Sequence, residues 1–141
     1  MKKLFTILFI GLISLSMNAQ DKVAKIEFKD TTIDYGTINK GDNGVRTFEF
    51  TNTGDAPLII TKVSSSCGCT VPKKPENPIM PGDSGEIEVK YDTQRVMPIR
   101  KTITVLSNAE TPTVSLKIKG EVIDPSKTSV LEKKGKSVME Q

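Results

Sequence analysis

The only two cysteines of the chain lie two positions apart, in Ser64-Ser65-Ser66-Cys67-Gly68-Cys69-Thr70. In an oxidising compartment such a pair can close into a disulfide, because glycine at Gly68 permits a tight turn between the thiols. A three-residue ring removes little chain entropy: closure contributes about 1.6 kcal/mol, and strain of several kcal/mol can offset it. The motif turn Cys67-Gly68-Cys69-Thr70 therefore reads as a labile disulfide, a dithiol or a pair of small packing residues, and all three readings stay open at this point. A thiol oxidoreductase usually sets Cys-x-x-Cys at a helix start, where the helix dipole favours the thiolate, and this spacing differs. A soft-metal site for Cu(I) needs more ligands than two thiolates. Met80 and Met97 are the candidates nearest in type, although each could equally pack.

Other chemistry is narrowed by composition. The 141 residues contain no histidine, which removes Ser-His-Asp and Cys-His catalysis, His-bearing zinc sites and haem held through an axial imidazole. Gly82-Asp83-Ser84-Gly85 resembles the segment around a serine-protease nucleophile; without an imidazole base it reads as a turn before a strand. Glu86, Glu88 and Asp92 could suggest a cation site, but Lys90 interrupts them and a solvated strand face is the simpler reading. A net charge of +3 and 5% aromatic residues supply neither the field nor the stacking surface that nucleic acid requires. No catalytic residue, cofactor or resident metal is expected.

The first nineteen residues read as an address. Lys2-Lys3 precede an apolar run from Leu4 to Ile13, and Ser14 to Ala19 ends on a small residue, the pattern of a secretory signal peptide cleaved after Ala19. The apolar run is shorter than the roughly 20 residues that span a bilayer, so no membrane anchor is expected after processing. Removing Lys2 and Lys3 from the 20 basic residues leaves 18 against 17 acidic ones, a net charge of +1. The expected location is periplasmic or secreted.

From Gln20 to residue 123 the chain alternates in period two. Ile87, Val89 and Tyr91 are interleaved with Glu86, Glu88, Lys90 and Asp92; Val114, Leu116 and Ile118 with Ser115, Lys117 and Lys119; and Phe48 and Phe50 flank Glu49. A strand with one buried face produces this pattern, so Phe50, Val89 and Leu116 are expected on inner faces. Ile26 with Phe28, Ile33 with Tyr35 and Ile103 with Val105 continue it. Leu58 and Ile60, or Ile59 and Val63, offer two registers for one further strand. Gly41-Asp42-Asn43-Gly44, Asn52-Thr53-Gly54-Asp55, Pro81 to Gly85 and Asn108-Ala109-Glu110 separate the runs with turn chemistry. Six to eight short strands so punctuated argue for a single all-β domain, an antiparallel immunoglobulin-like sandwich of about seven strands. Residues 124–141 have few bulky apolar side chains and read as a flexible polar tail. The alternative there is a short partner-binding helix carrying Val130, Leu131, Val138 and Met139.

Phe48-Glu49-Phe50-Thr51-Asn52-Thr53-Gly54-Asp55-Ala56-Pro57-Leu58, then Ser66-Cys67-Gly68-Cys69-Thr70, Pro81-Gly82 and Ser107-Asn108-Ala109 resemble the exported bacterial domain of unknown function numbered fifteen seventy-three. That family is similar to Hydin-type and major-sperm-protein-like immunoglobulin domains. The likeness covers roughly Ile26 to Val122 and departs at Val96-Met97-Pro98-Ile99, where related sequences tend to carry Gly and an aromatic residue. It implies a β-sandwich and an exported location, and no catalytic residue. The function expected is a non-enzymatic binding or structural module of the bacterial cell envelope. Its partner would be a protein or envelope component, met through end loops or an edge strand. The alternative is a thiol redox or Cu(I)-handling protein built on Cys67, Cys69, Met80 and Met97.

Overall fold

The computed structural model describes residues 20–127; residues 1–19, where a signal peptide is expected, and most of the residues expected to form a flexible tail lie outside them. Eight strands follow in chain order: β1 Ile26–Phe28, β2 Thr32–Asn39, β3 Val45–Asn52, β4 Ile60–Ser65, β5 Thr70–Lys73, β6 Ser84–Tyr91, β7 Pro98–Ser107 and β8 Thr113–Ile123. They form two four-stranded sheets, β1-β3-β6-β5 and β2-β8-β7-β4, packed as a sandwich of immunoglobulin type.

Alternation dictates the packing. Phe48, Phe50, Ile87, Val89 and Tyr91 from one sheet meet Ile99, Ile103, Val105, Leu116 and Ile118 from the other, each no more than 1% exposed. Phe50, Val89 and Leu116 thus occupy the inner faces that the sequence assigns them. Both registers offered for β4 are used. Leu58 and Ile60 are buried while Ile59 is 46% exposed; the register against β7 then shifts between Ile60 and Lys62, and Val63 packs against the core. A bulge consumes one residue, so the inward set changes parity.

Two details differ from the expectation. The second sheet is mixed, because β2 runs parallel to β8 with Thr32 opposite Lys117 and Asn39 opposite Ile123. The count is eight because the first strand is broken: β1 pairs with β3 in one sheet, and after Lys29-Asp30-Thr31 the chain crosses to the other. Strand switching of this kind closes one corner of a sandwich and lets a single N-terminal segment edge both sheets.

β6 has a start and an end that anchor the two ends of the molecule. At its start, the fully buried Asn52 accepts from Lys25 N at 3.3 Å and Gly54 N at 3.0 Å through Oδ1, and donates to Ala56 O at 2.8 Å and Ile79 O at 2.9 Å through Nδ2. At its end, Tyr91 lies opposite Thr70 of β5, and Thr93 Oγ1 donates to Asp42 O of the β2–β3 loop at 2.8 Å.

Candidate functional site

The cysteines occupy the place where the chain leaves one sheet for the other. β4 ends with Ser65 opposite Ile103, halfway along β7. Ser66 N then donates to Thr102 O at 3.0 Å and Thr102 N to Ser66 Oγ at 3.2 Å, which pins the last residue before the crossing. Cys67, Gly68 and Cys69 make the crossing, and Thr70 opens β5 in the other sheet. Cys67 and Cys69 are joined by a disulfide with their Cα atoms 5.5 Å apart. Of the three readings left open, the structure has the bonded pair.

Cys69 is buried, Cys67 is half-buried and Gly68 is exposed. Hydrogen bonds within the turn are long, Cys67 N to Ser65 Oγ and Cys69 N to Cys67 Sγ both at 3.3 Å and Thr70 N to Cys67 O at 3.4 Å, whereas Asp92 N donates to Cys69 O at 2.9 Å and ties the turn to the end of β6. Gly68 permits this turn, as the sequence suggests, but the turn does not require glycine. Its φ is outside the left-handed region, and a Cβ built on it meets nothing within 4 Å, so ordinary backbone geometry accommodates the crossing.

Beneath the corner lies an aromatic pair. The rings of Tyr35 and Tyr91 meet edge to face at 6.3 Å, and the Arg46 guanidinium sits 4.4 Å above the Tyr35 ring. The Tyr35 hydroxyl donates to Gly44 O at 2.8 Å. The Tyr91 hydroxyl is buried and has no hydrogen-bond partner among the described residues. Burial pushes the Tyr35 hydroxyl up to about 12 and also raises Tyr91, because a phenolate loses hydration in such a place.

The four sulfurs of the Cu(I) alternative do not converge. Met80 belongs to the turn before β6, where Asp83 N donates to Met80 O, whereas Cys69 lies past the other end of that eight-residue strand. At about 3.3 Å per residue the two are on the order of 25 Å apart. Met97 precedes β7 by one residue, and Ser66 sits beside Thr102; that interval is about 16 Å of extended chain. Both methionines are exposed, at 51% and 43%. Among the described residues no three of the Cys, Asp and Glu side chains cluster as metal ligands, and Glu86, Glu88 and Asp92 stay spread along one exposed face.

What the corner does position is an edge. Each sheet ends in two strands whose outer backbone groups have no ladder partner among the described residues, and three of the four are blunted. β1 has three residues. β5 has four and contains Pro72. β2 is interrupted between Asp34 and Thr37, with Gly36 at φ 63°. β4 has six residues without Pro or Gly, and from Lys62 to Ser65 its register is unbroken. Bulges, prolines and short length are the usual guards of a sheet edge; β4 carries only the charge of Lys62 beyond its bulge. Sequence reading singled out the cysteines and missed this edge, since which strands lie outermost is a property of the sheet order.

Comparison with solved structures places the sandwich among known ones. A Porphyromonas gingivalis W83 protein of unknown function matches with a TM-score of 0.63 and 23% identity over 70% of this chain and 46% of that one, so the chain spans about half of its length. The ASH/PapD-like domain 7 of human CEP192 matches with a TM-score of 0.60 and 11% identity, over 72% of this chain and 87% of that one. The CupB2 chaperone of Pseudomonas aeruginosa matches with a TM-score of 0.51 and 10% identity, over 68% and 55% of the two chains. These likenesses concern the fold. No curated protein matches the sequence. No helix among the described residues is long and apolar enough to cross a membrane. Residues 26–122, which hold all eight strands but the last residue of β8, match one family model, and the chain belongs to that family, described as protein of unknown function (DUF1573).

Proposed function

We propose that the chain is an exported, non-enzymatic binding module of the cell envelope that takes an extended segment of a partner protein onto the free edge of β4. The observation that carries this reading is the asymmetry among the four edges: among the described residues, only β4 presents four residues in regular register, Lys62 to Ser65, without Pro or Gly, its one guard being the charge of Lys62. Backbone groups on such an edge pair with any extended chain, and the side chains that alternate along it select which. The Cys67–Cys69 bond supports the reading by fixing where the edge stops. Export rests on the Lys2-Lys3 and Leu4 to Ile13 pattern, outside the described residues.

The test is a photo-crosslinking amino acid placed at Ser64 on β4 or at Glu88 on the exposed face of β6, in the native host. Adducts at Ser64 that are lost on Val63→Pro, together with a mature N-terminus at Gln20, are the expected outcome. Adducts confined to Glu88, or Met1 retained on a cytosolic protein, would overturn it.

A second reading, thiol redox exchange, is supported by the bonded state of the pair with Cys67 half-buried. It requires reversible gain and loss of two hydrogens on a bond that, in the first reading, only shapes the corner.

A further inference from the structure

Both outer faces of the sandwich carry a charged row that runs across three neighbouring strands. On one face, Glu49 of β3 stands directly opposite Glu86 of β6, and Lys29, just past β1, meets Glu49 Oε2 at 3.2 Å. On the other, Lys119 of β8 stands directly opposite Arg100 of β7 and opposite Asp34 of β2, whose Oδ2 its ammonium meets at 3.4 Å. Like charges directly opposed destabilise a strand pair, and each face holds one such pair. Glu86 and Arg100 have no ion-pair partner among the described residues. They cannot relieve one another within one molecule. The two sheets stand about 10 Å apart and both side chains point away from the space between, so the separation exceeds a Debye length at physiological salt.

We propose that a second copy of this chain docks face to face on the first, its Lys29-Glu49-Glu86 row lying along the Asp34-Lys119-Arg100 row. The order of charges carries the argument. Taken from the edge strand inward, one row is positive, negative, negative and the other negative, positive, positive. Strands in both sheets are about 4.8 Å apart, so the rows share one spacing and every position finds its opposite at once. Glu86 of one copy then meets Arg100 of the other, and the two uncompensated charges neutralise. Each row borders a depression, about 550 Å³ beside Glu49 and Glu86 and about 420 Å³ beside Lys119 and Arg100, which gives the facing side chains room to enter. The contact is heterologous: a pair keeps one free row at each end, and further copies add head to tail. β4 is the fourth strand of its sheet and lies outside the rows, so the inference does not depend on the reading of its edge.

Sedimentation velocity on the purified chain tests it. Between about 0.01 M and about 1 M salt the Debye length falls from about 30 Å to about 3 Å. The weight-average mass is therefore expected to rise with protein concentration at the low end and to stay monomeric at the high end. Glu49→Lys with Glu86→Lys, or Arg100→Glu with Lys119→Glu, should each weaken the low-salt association about tenfold or more, because like rows then face each other. An equimolar mixture of the two variants should recover it, since the reversed row of one fits the reversed row of the other, and a misfolded variant could not do so. A wild-type chain that stays monomeric at low salt, association unchanged at high salt, or variants that associate as the wild type does overturn the proposal. So does a mixture that stays monomeric although both variants melt like the wild type. A monomeric chain that binds vesicles of anionic lipid at low salt overturns it as well, and gives the basic row a membrane surface as its occupant.

Discussion

The Asn52 end and the Cys67 corner both take the chain out of a strand, and they do so by opposite means. Around Asn52 a buried amide makes four hydrogen bonds, two of them at 2.8 and 2.9 Å, to backbone from three different stretches of chain. Around Cys67 no side-chain network forms: backbone bonds hold the flanks, Ser66 N to Thr102 O at 3.0 Å and Asp92 N to Cys69 O at 2.9 Å, the bonds inside the turn are 3.3 Å or longer, and a covalent bond spans three residues. The first region is saturated: every polar group of the side chain has a partner, and any change leaves a buried one unmatched. The second relies on backbone bonds to its flanks and on one disulfide within the turn, and Tyr91, opposite Thr70, has a buried hydroxyl without a hydrogen-bond partner among the described residues. One buried side chain organises the first region, whereas the second is organised by backbone pairing and a covalent link.

Substitution sharpens that contrast most at glycine. A Cβ on Gly54 would stand 2.2 Å from Val23 O and 2.5 Å from Lys25 N, both backbone atoms. Gly54→Ala is therefore expected to cost more than about 3 kcal/mol in denaturant melts, since the backbone of Val23 to Lys25 ahead of β1 must move. Gly68→Ala is expected to change stability by less than about 0.5 kcal/mol. Equal effects at the two positions would break the comparison.

Replacing Cys67 and Cys69 together by Ser is the intermediate case, with an expected loss of about 1–3 kcal/mol from a short ring and two exchanged side chains. The folded variant should keep its Ser64 adducts. If those adducts vanish while the fold persists, and the wild-type mass shifts reversibly by two hydrogens, the redox reading replaces the edge reading. The smallest effect concerns alkali. Tyr35 holds its proton to about 12 in the fold against roughly 10 in an unfolded chain. Its contribution to stability is therefore complete below pH 10 and is lost as pH rises from there through about 12. A melting temperature that stays flat across that interval would show that the phenol is hydrated in the fold.

Much of this was legible before any coordinates. The alternation at Ile87, Val89 and Tyr91 needs no tertiary information, because a half-buried strand has only one way to hide three apolar side chains. The Leu58 to Val63 run was ambiguous for a physical reason: a bulge makes both parities correct in turn. Nothing local marks Lys29-Asp30-Thr31 as a sheet crossing, since the pairing of β2 with β8 is decided by residues far away in the chain. Glycine at Gly68 allowed the tight turn that the bonded pair makes, but whether the position demands glycine depends on the open space around it, which only the fold shows. Asn52 stood among turn residues in the sequence, and its burial depends on Ile79 and Ala56 closing over it. One signal was present and unused: Asp124-Pro125-Ser126 is a capped helix start written in three residues.

The parallel pairing of β2 with β8 has a kinetic consequence. Thr32 has to find Lys117, so a strand made among the first waits for the last one before its sheet can close. Contacts of such sequence separation slow folding toward the millisecond-to-second range, because chain entropy is lost before the pairing returns anything. A chain threaded N-terminus first through a narrow pore therefore cannot complete its second sheet on either side until β8 is on the same side as β2. Delayed closure keeps such a chain threadable, and it leaves β2 and β7 without β8 between them for as long as passage lasts.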